Sequence, residues 1–391
     1  MKELRVVHLS ITPVAGSPWN TVTALNAHSN VTARHIVLNP DAYGQRTFPV
    51  DLEWGTARDE CLEVLASADI VHLHQWFDPA GWFGQEVGSI SSRKPCVRQF
   101  HSSPEHFLGT DAAARAAFWD DQTPQLVIAQ FHERYYPRAR VVPNLVLLDD
   151  PLLTPAKGRS DGHPLVAWSP TVRDSAWTSR WATKGYPETL GLLRRLPEEV
   201  PCTVDVIENV PRDECLQRKA AAHIVVDELV TGSYHLSGLE GLALGKPVLA
   251  WLDDRVQTVL RELTGANALP WVNVHLEDAE RVLRVLAADP DLCEAIGSES
   301  RRWMEQFYND RVLVQHYVQV YRDLLERPDL FSKARGDDLA VHWRNVRLPD
   351  LMWEARRERA LSNSAAATQQ TFHGSLQRIS MKLGDLWKKR H

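Results

Sequence analysis

Short apolar runs alternate with amphipathic segments along most of this 391-residue chain. Near the N-terminus, an apolar run at residues 5–11 is followed by a polar loop, a helical pattern at 21–28 and a second apolar run at 33–38. Strand, loop, helix, strand is the pattern of a βαβ unit, in which the two strands run parallel. Similar alternation continues to about residue 274 and then gives way to three helical patterns. We therefore predict an α/β fold.

A segment rich in Asp, Pro and Gly, residues 149–163, interrupts this alternation. Such a composition is typical of a linker, and 391 residues are enough for two domains. We predict an N-terminal domain at 1–150, a linker at 151–163 and a second domain at 164–311. Residues 312–391 are predicted to form C-terminal helices and a tail, of which the first part packs back on the N-terminal domain.

Composition excludes several classes of protein. With 44% hydrophobic and 24% charged residues, the chain is typical of globular proteins. A formal charge of −6 does not support a general nucleic-acid-binding surface, although a local basic groove remains compatible with it. The five cysteines form no CxxC pair, which favours free thiols over disulfides or a zinc site. We recognise no signal peptide and no apolar run of membrane length, and so expect a cytoplasmic protein.

Candidate chemistry is concentrated in residues 231–252, TGSYHLSGLEGLALGKPVLAWL. The pattern predicts a loop, a helix at 236–244 and a buried strand. The free amides and the dipole at a helix N-terminus favour a phosphate, and Glu240, expected in the first turn, could accept hydrogen bonds from vicinal hydroxyls such as those of ribose. Gly245 suits the helix C-terminus, and Pro247 cannot continue the helix. Taken alone, the segment also fits an ordinary βα loop.

The residues 239–250, LEGLALGKPVLA, resemble the donor-site signature of GT-B glycosyltransferases, especially the family-4 retaining (group 1) enzymes. The resemblance implies two Rossmann-like domains facing across a cleft, with a helical C-terminal extension. Residues 1–150 would bind the acceptor and residues 164–311 the nucleotide sugar. The implied reaction moves a sugar from a nucleotide-diphosphate donor, UDP or GDP type, to a hydroxyl of a glycan, lipid-linked or other acceptor. The resemblance also implies retention of configuration, no metal or other cofactor, and a role in polysaccharide or glycoconjugate synthesis.

In the resembling family, a glutamate in the place of Glu240 binds the ribose. A second glutamate, eight positions earlier, contacts the donor sugar, but that position is Gly232 here. Asp227 or Glu228, at the end of the preceding strand, could replace it. The resemblance places the diphosphate along the loop and the first helical turn, namely Gly232, Ser233, Tyr234, His235, Leu236, Ser237 and Gly238.

A basic loop follows the first strand of the second domain. The resembling family uses an arginine and a lysine there to neutralise the diphosphate leaving group, and a fixed cation stabilises that charge most in the transition state. Lys184 matches the lysine. The arginine is either Arg173, which follows the strand more directly, or Arg180, which is nearer to Lys184. A solvated basic loop is the alternative interpretation.

The N-terminal domain supplies further candidates. Gly16 lies in its first loop, where the family approaches the donor phosphates, although a simple turn explains this glycine equally well. The strand-end residue His101 resembles the family histidine beside the donor sugar. A neutral imidazole there can hydrogen-bond a sugar hydroxyl, whereas a lone histidine elsewhere is more often structural.

An aromatic loop at residues 75–84 follows the strand ADIVHLH, which also resembles the family. Trp76, Phe77 and Trp82 are candidates to stack on a sugar or lipid acceptor, because ligands bind at the carboxyl ends of such strands. The alternative is that these rings simply close the core.

Residues 327–391 lie outside the resemblance. Residues 376–390 predict a basic amphipathic helix that could lie peripherally on an anionic membrane, or pack on a partner or on its own chain. Three other functions remain open at this point. One is an inverting enzyme with His101 or Asp78 as general base, and another is a sugar-nucleotide-binding protein without activity, which Gly232 favours. The third is a glycosyltransferase acting on a natural product or a modified DNA base.

Overall fold

The computed structural model describes residues 3–42, 47–108, 112–158, 162–170 and 181–331, together with Arg359. The chain divides into two compact units, residues 1–334 and 335–391. Every element named below belongs to the first unit. Two sheets organise it, and all strand pairings in the described residues are parallel.

The N-terminal sheet has the strand order β3-β2-β1-β4-β5-β6-β7. Its strands are β1 (Leu4–Ser10), β2 (Val31–Val37), β3 (Leu52–Glu53), β4 (Ile70–His74), β5 (Cys96–Phe100), β6 (Gln125–Ile128) and β7 (Arg140–Val142). The intervening helices are α1 (Ser17–His28), α2 (Arg58–Ser67), α3 (Pro79–Phe83), α4 (Gln85–Ser91), α5 (Glu105–Leu108) and α6 (Ala112–Asp120). The strand order reverses between β1 and β4, and ligands of such sheets bind beyond the carboxyl ends at that switch point.

The second sheet has the order β12-β11-β10-β8-β9. Its strands are β8 (Leu165–Trp168), β9 (Thr203–Val206), β10 (Ile224–Val226), β11 (Val248–Ala250) and β12 (Val272–Asn273). The helices are α7 (Tyr186–Glu199), α8 (Arg212–Ala221), α9 (Leu236–Ala243), α10 (Asp254–Thr264), α11 (Leu276–Ala288), α12 (Pro290–Phe307) and α13 (Asp310–Glu326). Here the switch point lies between β8 and β10, so the loops after these two strands form its candidate ligand edge.

The last long helix, α13, packs on the N-terminal sheet. The hydroxyl of Tyr321 on this helix lies 2.9 Å from Nδ1 of His72 on β4. Asp323, also on this helix, forms an ion pair with Arg140 on β7 at 2.7 Å. Helix α13 is amphipathic, and its buried face carries residues such as Leu313, Val314, Tyr317 and Tyr321. The helix therefore covers apolar surface of the first sheet with its apolar face.

Two helices differ from the sequence-based prediction. Helix α1 begins at Ser17, earlier than the predicted residue 21, because Pro18 occupies its first turn, where a proline costs no hydrogen bond. The predicted loop 75–84 contains helix α3. Asp78 caps that helix, since its carboxylate accepts hydrogen bonds from the backbone N–H groups of Ala80 and Gly81.

The remaining general expectations concern cysteines and membranes. The five cysteines are unpaired, as predicted. Among the described residues, no helix combines the length and hydropathy that crossing a bilayer requires. The amphipathic helix predicted at 376–390 lies outside the described residues, so its membrane contact stays a prediction.

Candidate functional site

The N-terminus of helix α9 lies at the switch point of the second sheet. His235 is the residue that precedes the helix, and its side chain makes no capping bond. Its backbone N–H donates instead to Oδ2 of Asp227, at 2.7 Å. The hydroxyl of Ser237, in the first turn, lies 2.7 Å from that of Ser169 at the end of β8. The loops after β8 and β10 are thereby held together beside the first amides of the helix, which have no intrahelical acceptors.

Glycine at position 238 is required by this arrangement. A Cβ on Gly238 would lie 2.4 Å from Oδ2 of Asp227, closer than any real contact. Gly232 has a φ of +80°, in the left-handed region, and a Cβ there would lie 3.0 Å from that of Asp253. The glycines of the motif therefore permit a close approach of strand end, loop and helix.

Lys184 and Asp227 form an ion pair inside the site. The Nζ of Lys184 donates to Oδ1 of Asp227 at 2.9 Å, and the two side chains are 1% and 0% exposed. Burial acts to raise the pKa of Asp227, but Lys184 and His235 outweigh it and lower that pKa below its ordinary value. The ammonium has two further N–H groups, and it lies at the ligand edge of the sheet. A diphosphate would therefore share Lys184 with Asp227 or displace that carboxylate.

Glu240 is held by a lysine that sequence reasoning missed. Its Oε2 accepts a hydrogen bond from Nζ of Lys219 on α8 at 2.6 Å. Burial acts to lower the pKa of Lys219, but Cys215 and Glu240 raise it above its ordinary value. The Glu240 side chain is 11% exposed, and Lys219 fixes its orientation. Lys219 gave no sequence signal, because a lysine in the last turn of a helix is ordinary.

One carboxylate oxygen of Glu228 has no hydrogen bond to any residue that the structure describes. Its Oε1 accepts from the backbone N–H groups of Val230 at 2.6 Å and Thr231 at 3.0 Å. Its Oε2 is buried without a partner among the described residues, and so is Nε2 of His235, 3.7 Å away. Buried polar atoms are normally paired, so this pair of atoms marks a place that a ligand or water would complete.

Residues of the N-terminal domain complete the region. Trp181, which precedes α7 in the second domain, stacks on the ring of His235 with a centroid distance of 4.0 Å and meets His132 of the N-terminal domain edge-on at 4.2 Å. His132 interacts electrostatically with both His235 and His101, and burial is the main cause of its lowered pKa. His101, at the end of β5, is buried, and its pKa is lowered by burial to about 3. The imidazole of His101 is therefore neutral at physiological pH.

Ion pairs and a hydrogen bond join the two Rossmann-like domains near this region. Arg134 pairs with Asp253 at 3.0 Å, and Arg255 pairs with Glu133. The hydroxyl of Tyr234 donates to the backbone carbonyl of Ala129. The Tyr234 side chain thus anchors the glycine-containing loop to the N-terminal domain and does not face a ligand.

The other predicted residues have different surroundings. Gly16 has a φ of +78°, and a Cβ there would lie 2.9 Å from the ring of Phe48. Phe77 packs in the core at 4% exposure, and Trp76 lies beneath the guanidinium of Arg98. Of the three acceptor candidates only Trp82 is exposed, at 54%. Arg173 and Arg180 lie outside the described residues.

Three buried histidines, His8, His72 and His74, offer ring nitrogens within 4.8 Å of one another. Metal-binding imidazoles direct their lone pairs at one point about 2 Å away. The rings of His72 and His74 are instead stacked, 4.5 Å apart and 10° from parallel. Both nitrogens of His8 are in hydrogen-bond contact, with His74 and with Tyr321. The arrangement is that of a hydrogen-bonded cluster and not of a metal centre.

Comparisons with known proteins identify the fold. No protein-family model matches the chain, and no curated protein does. Among solved structures, Anabaena HepE in complex with UDP and glucose matches with 15% identity and a TM-score of 0.52, over 82% of this chain and 99% of HepE. A glycosyltransferase from Rickettsia africae matches with 12% identity and a TM-score of 0.52, over 84% of this chain and 100% of that one. The chain has the GT-B fold, as predicted.

Proposed function

We propose that the protein is a glycosyltransferase that uses a nucleotide-diphosphate sugar. The observation that carries this proposal is the pairing of a helix N-terminus with an oriented carboxylate: the first amides of α9, and Glu240 fixed by Lys219. Helix α9 begins after β10, at the switch-point edge of the second sheet. HepE, which shares the fold, was solved with UDP and glucose. The amides and the dipole would bind the diphosphate, and Glu240 would bind the ribose hydroxyls.

The leaving group would be stabilised by Lys184, with Arg173 or Arg180. The developing charge on the β-phosphate is stabilised most by a cation that is already in place. Asp227 holds the Lys184 ammonium in place. We propose that this cationic side chain, with one of the arginines, takes the role that a metal has in other transferases. We therefore expect the protein to transfer the sugar even after it has been dialysed against EDTA.

We propose Glu228 as the replacement for the glutamate that is absent at Gly232. Both oxygens of Asp227 are engaged, by Lys184 and by the amide of His235, whereas Oε2 of Glu228 is buried and unpartnered within the described residues. A free carboxylate oxygen can accept a hydrogen bond from a sugar hydroxyl. Glu228→Gln should therefore weaken binding of UDP-glucose, or of whichever donor is used, more than binding of the bare nucleotide.

Retention is the stereochemical outcome that we propose. An inverting mechanism needs a general base with a pKa near the working pH. His101, with a pKa lowered to about 3, is too weak a base, and the oxygens of Asp78 cap helix α3. Proton NMR of the first product formed reports the anomeric configuration. Inversion would exclude this part of the proposal and leave the transferase function intact.

A thermal-shift panel of UDP, GDP, dTDP and ADP tests the donor site. A ligand that binds only the folded state stabilises it by RT ln(1 + [L]/Kd), about 2.7 kcal/mol at one hundred times Kd. We expect one nucleotide to stabilise the wild type and to do so much less in Glu240→Gln, which can retain the contact with Lys219. The control is Glu280→Gln on α11, whose carboxylate pairs with Arg284. No shift with any nucleotide would contradict the proposal.

A non-catalytic sugar-nucleotide-binding protein is the second candidate. Two observations favour it: the glycine at position 232, and the ion pair that occupies Lys184. Such a protein would show the same thermal shifts. Incubation with the stabilising sugar nucleotide separates the two functions, because only an enzyme releases the nucleoside diphosphate in the presence of acceptor or water.

A further inference from the structure

Gly232, in the loop ahead of α9, has no room for a side chain. A Cβ on Gly232 would lie 3.0 Å from the Cβ of Asp253 and 3.1 Å from its Oδ2. Asp253 precedes α10, and its backbone N–H donates to the carbonyl of Gly232 at 3.0 Å. The aspartate therefore lies directly against residues 231–235, which we call the donor loop. Its carboxylate takes the space that a side chain at position 232 would need.

The Asp253 carboxylate joins two parts of the molecule that are far apart in the sequence. Its Oδ1 accepts a hydrogen bond from the backbone N–H of Val256 at 2.8 Å and so caps helix α10. Its Oδ2 accepts from a guanidinium nitrogen of Arg134 at 3.0 Å, and Arg134 lies in the N-terminal domain, 119 positions earlier. The side chains of Arg134 and Asp253 are 23% and 26% exposed. The pair is thus partly shielded from water, where opposite charges attract each other more strongly than on an open surface.

Arg134 is held in place on its own side of the domain boundary. It lies in the single helical turn Phe131–Tyr135 that follows β6, and the central carbon of its guanidinium is 4.2 Å from the centre of the Phe131 ring. The preceding residue, Glu133, has a side chain that is 1% exposed and pairs with Arg255 on α10. An acid and a base on this turn therefore face a base and an acid at the start of α10. A shift of the turn toward the other partner would bring like charges together.

The N-terminal domain also contacts the donor loop directly. The Tyr234 side chain is 0% exposed, and its hydroxyl donates to the carbonyl of Ala129, just before the turn that carries Arg134. The donor loop is therefore attached to the N-terminal domain at two points, Tyr234 directly and Gly232 through Asp253. Loss of the ion pair would release the Gly232 end of the loop and leave the Tyr234 end attached.

We infer that Asp253 is a positioning residue, which couples the donor loop to the N-terminal domain through its ion pair with Arg134. Glycine at position 232 is the condition for this coupling, because a side chain there would displace the Asp253 carboxylate. The loop leads into the first amides of α9, so its conformation sets where those amides lie. The coupling is a property of the protein without ligand, and only its effect on a nucleotide rests on the proposed function.

Hydrogen exchange of the full chain without ligand, measured by mass spectrometry of peptides from residues 228–240, tests the coupling. Arg134→Gln removes the cation, and Asp253→Asn removes the negative charge but keeps an oxygen to cap α10. We expect each variant to speed amide exchange in the donor loop about fivefold, the effect of one such ion pair on a local opening equilibrium. The double variant should exchange no faster than either single variant. Arg134→Lys keeps the charge and should restore most of the protection.

Asp289→Asn is the matched control for the change at a helix cap. Asp289 caps α12 as Asp253 caps α10, since it accepts from the backbone N–H of Leu292 at 2.9 Å, but it forms no ion pair with another described residue. This variant should leave exchange in the donor loop unchanged. Unchanged exchange in Arg134→Gln, additive effects in the double variant, or an equal effect of Asp289→Asn would overturn the inference.

A pair of glycine variants tests whether position 232 makes room for the ion pair. Gly232 and Gly265 both have left-handed φ values, +80° and +71°, but no described atom lies within 4 Å of a Cβ on Gly265. Both substitutions to alanine strain the backbone, and only Gly232→Ala displaces Asp253. Arg134→Gln should therefore add nothing to the exchange of the loop in Gly232→Ala protein and have its full effect in Gly265→Ala protein. A full effect in both would contradict the inference.

Nucleotide affinity separates this inference from the proposed function. With UDP, or whichever of the four nucleotides gives a thermal shift, Kd should be about fivefold higher in Arg134→Gln and Asp253→Asn than in the wild type. The difference should shrink at about 1 M salt, which screens the ion pair. Equal Kd values in the three proteins would contradict a positioning role for Asp253. Faster exchange in variants of a protein that binds no nucleotide would leave the coupling and remove the function, and nucleotide binding with unchanged exchange would do the reverse.

Discussion

The two ligand edges of this molecule bury polar groups in opposite ways. At the ligand edge of the N-terminal sheet, His101 is hydrogen-bonded to His74 and His74 to His8, and His72 joins them through Tyr321. Burial keeps all four imidazoles uncharged. At the ligand edge of the second sheet, charged side chains are buried in pairs, Lys184 with Asp227 and Lys219 with Glu240. A neutral network can orient a hydroxyl without attracting ions, whereas a paired set of charges can exchange one partner for a phosphate. This difference fits the roles predicted for the two edges, binding of a sugar hydroxyl at the first and of a diphosphate at the second.

The largest expected effect is a loss of stability in mild acid, which should come from the histidines of the N-terminal sheet and not from the charged pairs of the second sheet. The pKa values of His72 and His101 are lowered to about 3, and those of His8 and His74 are also lowered. The unfolded state therefore binds more protons, and the stability that is present above pH 6.5 is lost as the pH falls toward the folded-state values. Between pH 6.5 and pH 5 the loss of stability is about 2 kcal/mol for each of His72 and His101. Asp227, with a lowered pKa, does not titrate in that window.

Urea unfolding at pH 7.5, 6.5, 6.0 and 5.0 measures this loss. Because the loss at His72 and His101 alone is a large part of the whole stability of a domain, about 5–15 kcal/mol, acid unfolding should begin below pH 6. Near-ultraviolet circular dichroism follows the loss of native packing. Constant stability from pH 7.5 to pH 5 would contradict the neutral, buried state of these histidines.

The second largest expected effect is the loss of stability when Lys184, one member of a buried ion pair in the second domain, is made neutral. Lys184→Met leaves the Asp227 carboxylate buried without its cation, which typically costs about 3–5 kcal/mol. Urea unfolding at pH 7.5 measures the change. The control is Lys157→Met, since Lys157 pairs with Glu294 on the surface and should leave the unfolding midpoint unchanged. Equal midpoints in the two variants would show that the Lys184–Asp227 pair is not buried as described.

The sequence predicted the elements of both edges better than their contacts. The pattern of apolar residues and glycines predicted a helix at 236–244, and α9 spans Leu236–Ala243, because local pattern sets such elements. The partner of Glu240 was missed, because Lys219 lies 21 positions earlier and only folding brings it near. The histidines His8, His72, His74 and His101 were readable as strand residues, but their network depends on strand register and on Tyr321 from the last helix. Register and long-range packing carry no local signal.

Replacing Gly238 by alanine tests how closely the Asp227 side chain approaches helix α9. Gly238→Ala places a Cβ 2.4 Å from Oδ2 of Asp227, so the loop must shift, at a cost of about 1–3 kcal/mol. Nucleotide-induced stabilisation should fall as well, because the same amides would bind the diphosphate. Gly191→Ala, inside α7 with no atom near its Cβ, is the control and should stabilise by about 0.5–1 kcal/mol. Unchanged stability and nucleotide shift in Gly238→Ala would remove Asp227 from the site.

The smallest expected effect is on the acceptor and concerns Trp82. Its ring is 54% exposed on the short helix that follows Asp78, so Trp82→Ala should change stability by less than about 0.5 kcal/mol. If the ring stacks on a sugar acceptor, its loss removes about 0.5–1.5 kcal/mol of binding and raises the acceptor KM roughly 2- to 10-fold, with the donor KM unchanged. Trp119→Ala, at 51% exposure on α6, is the matched control. If the acceptor KM is the same in the two variants, Trp82 is an ordinary surface residue and its ring does not stack on the acceptor.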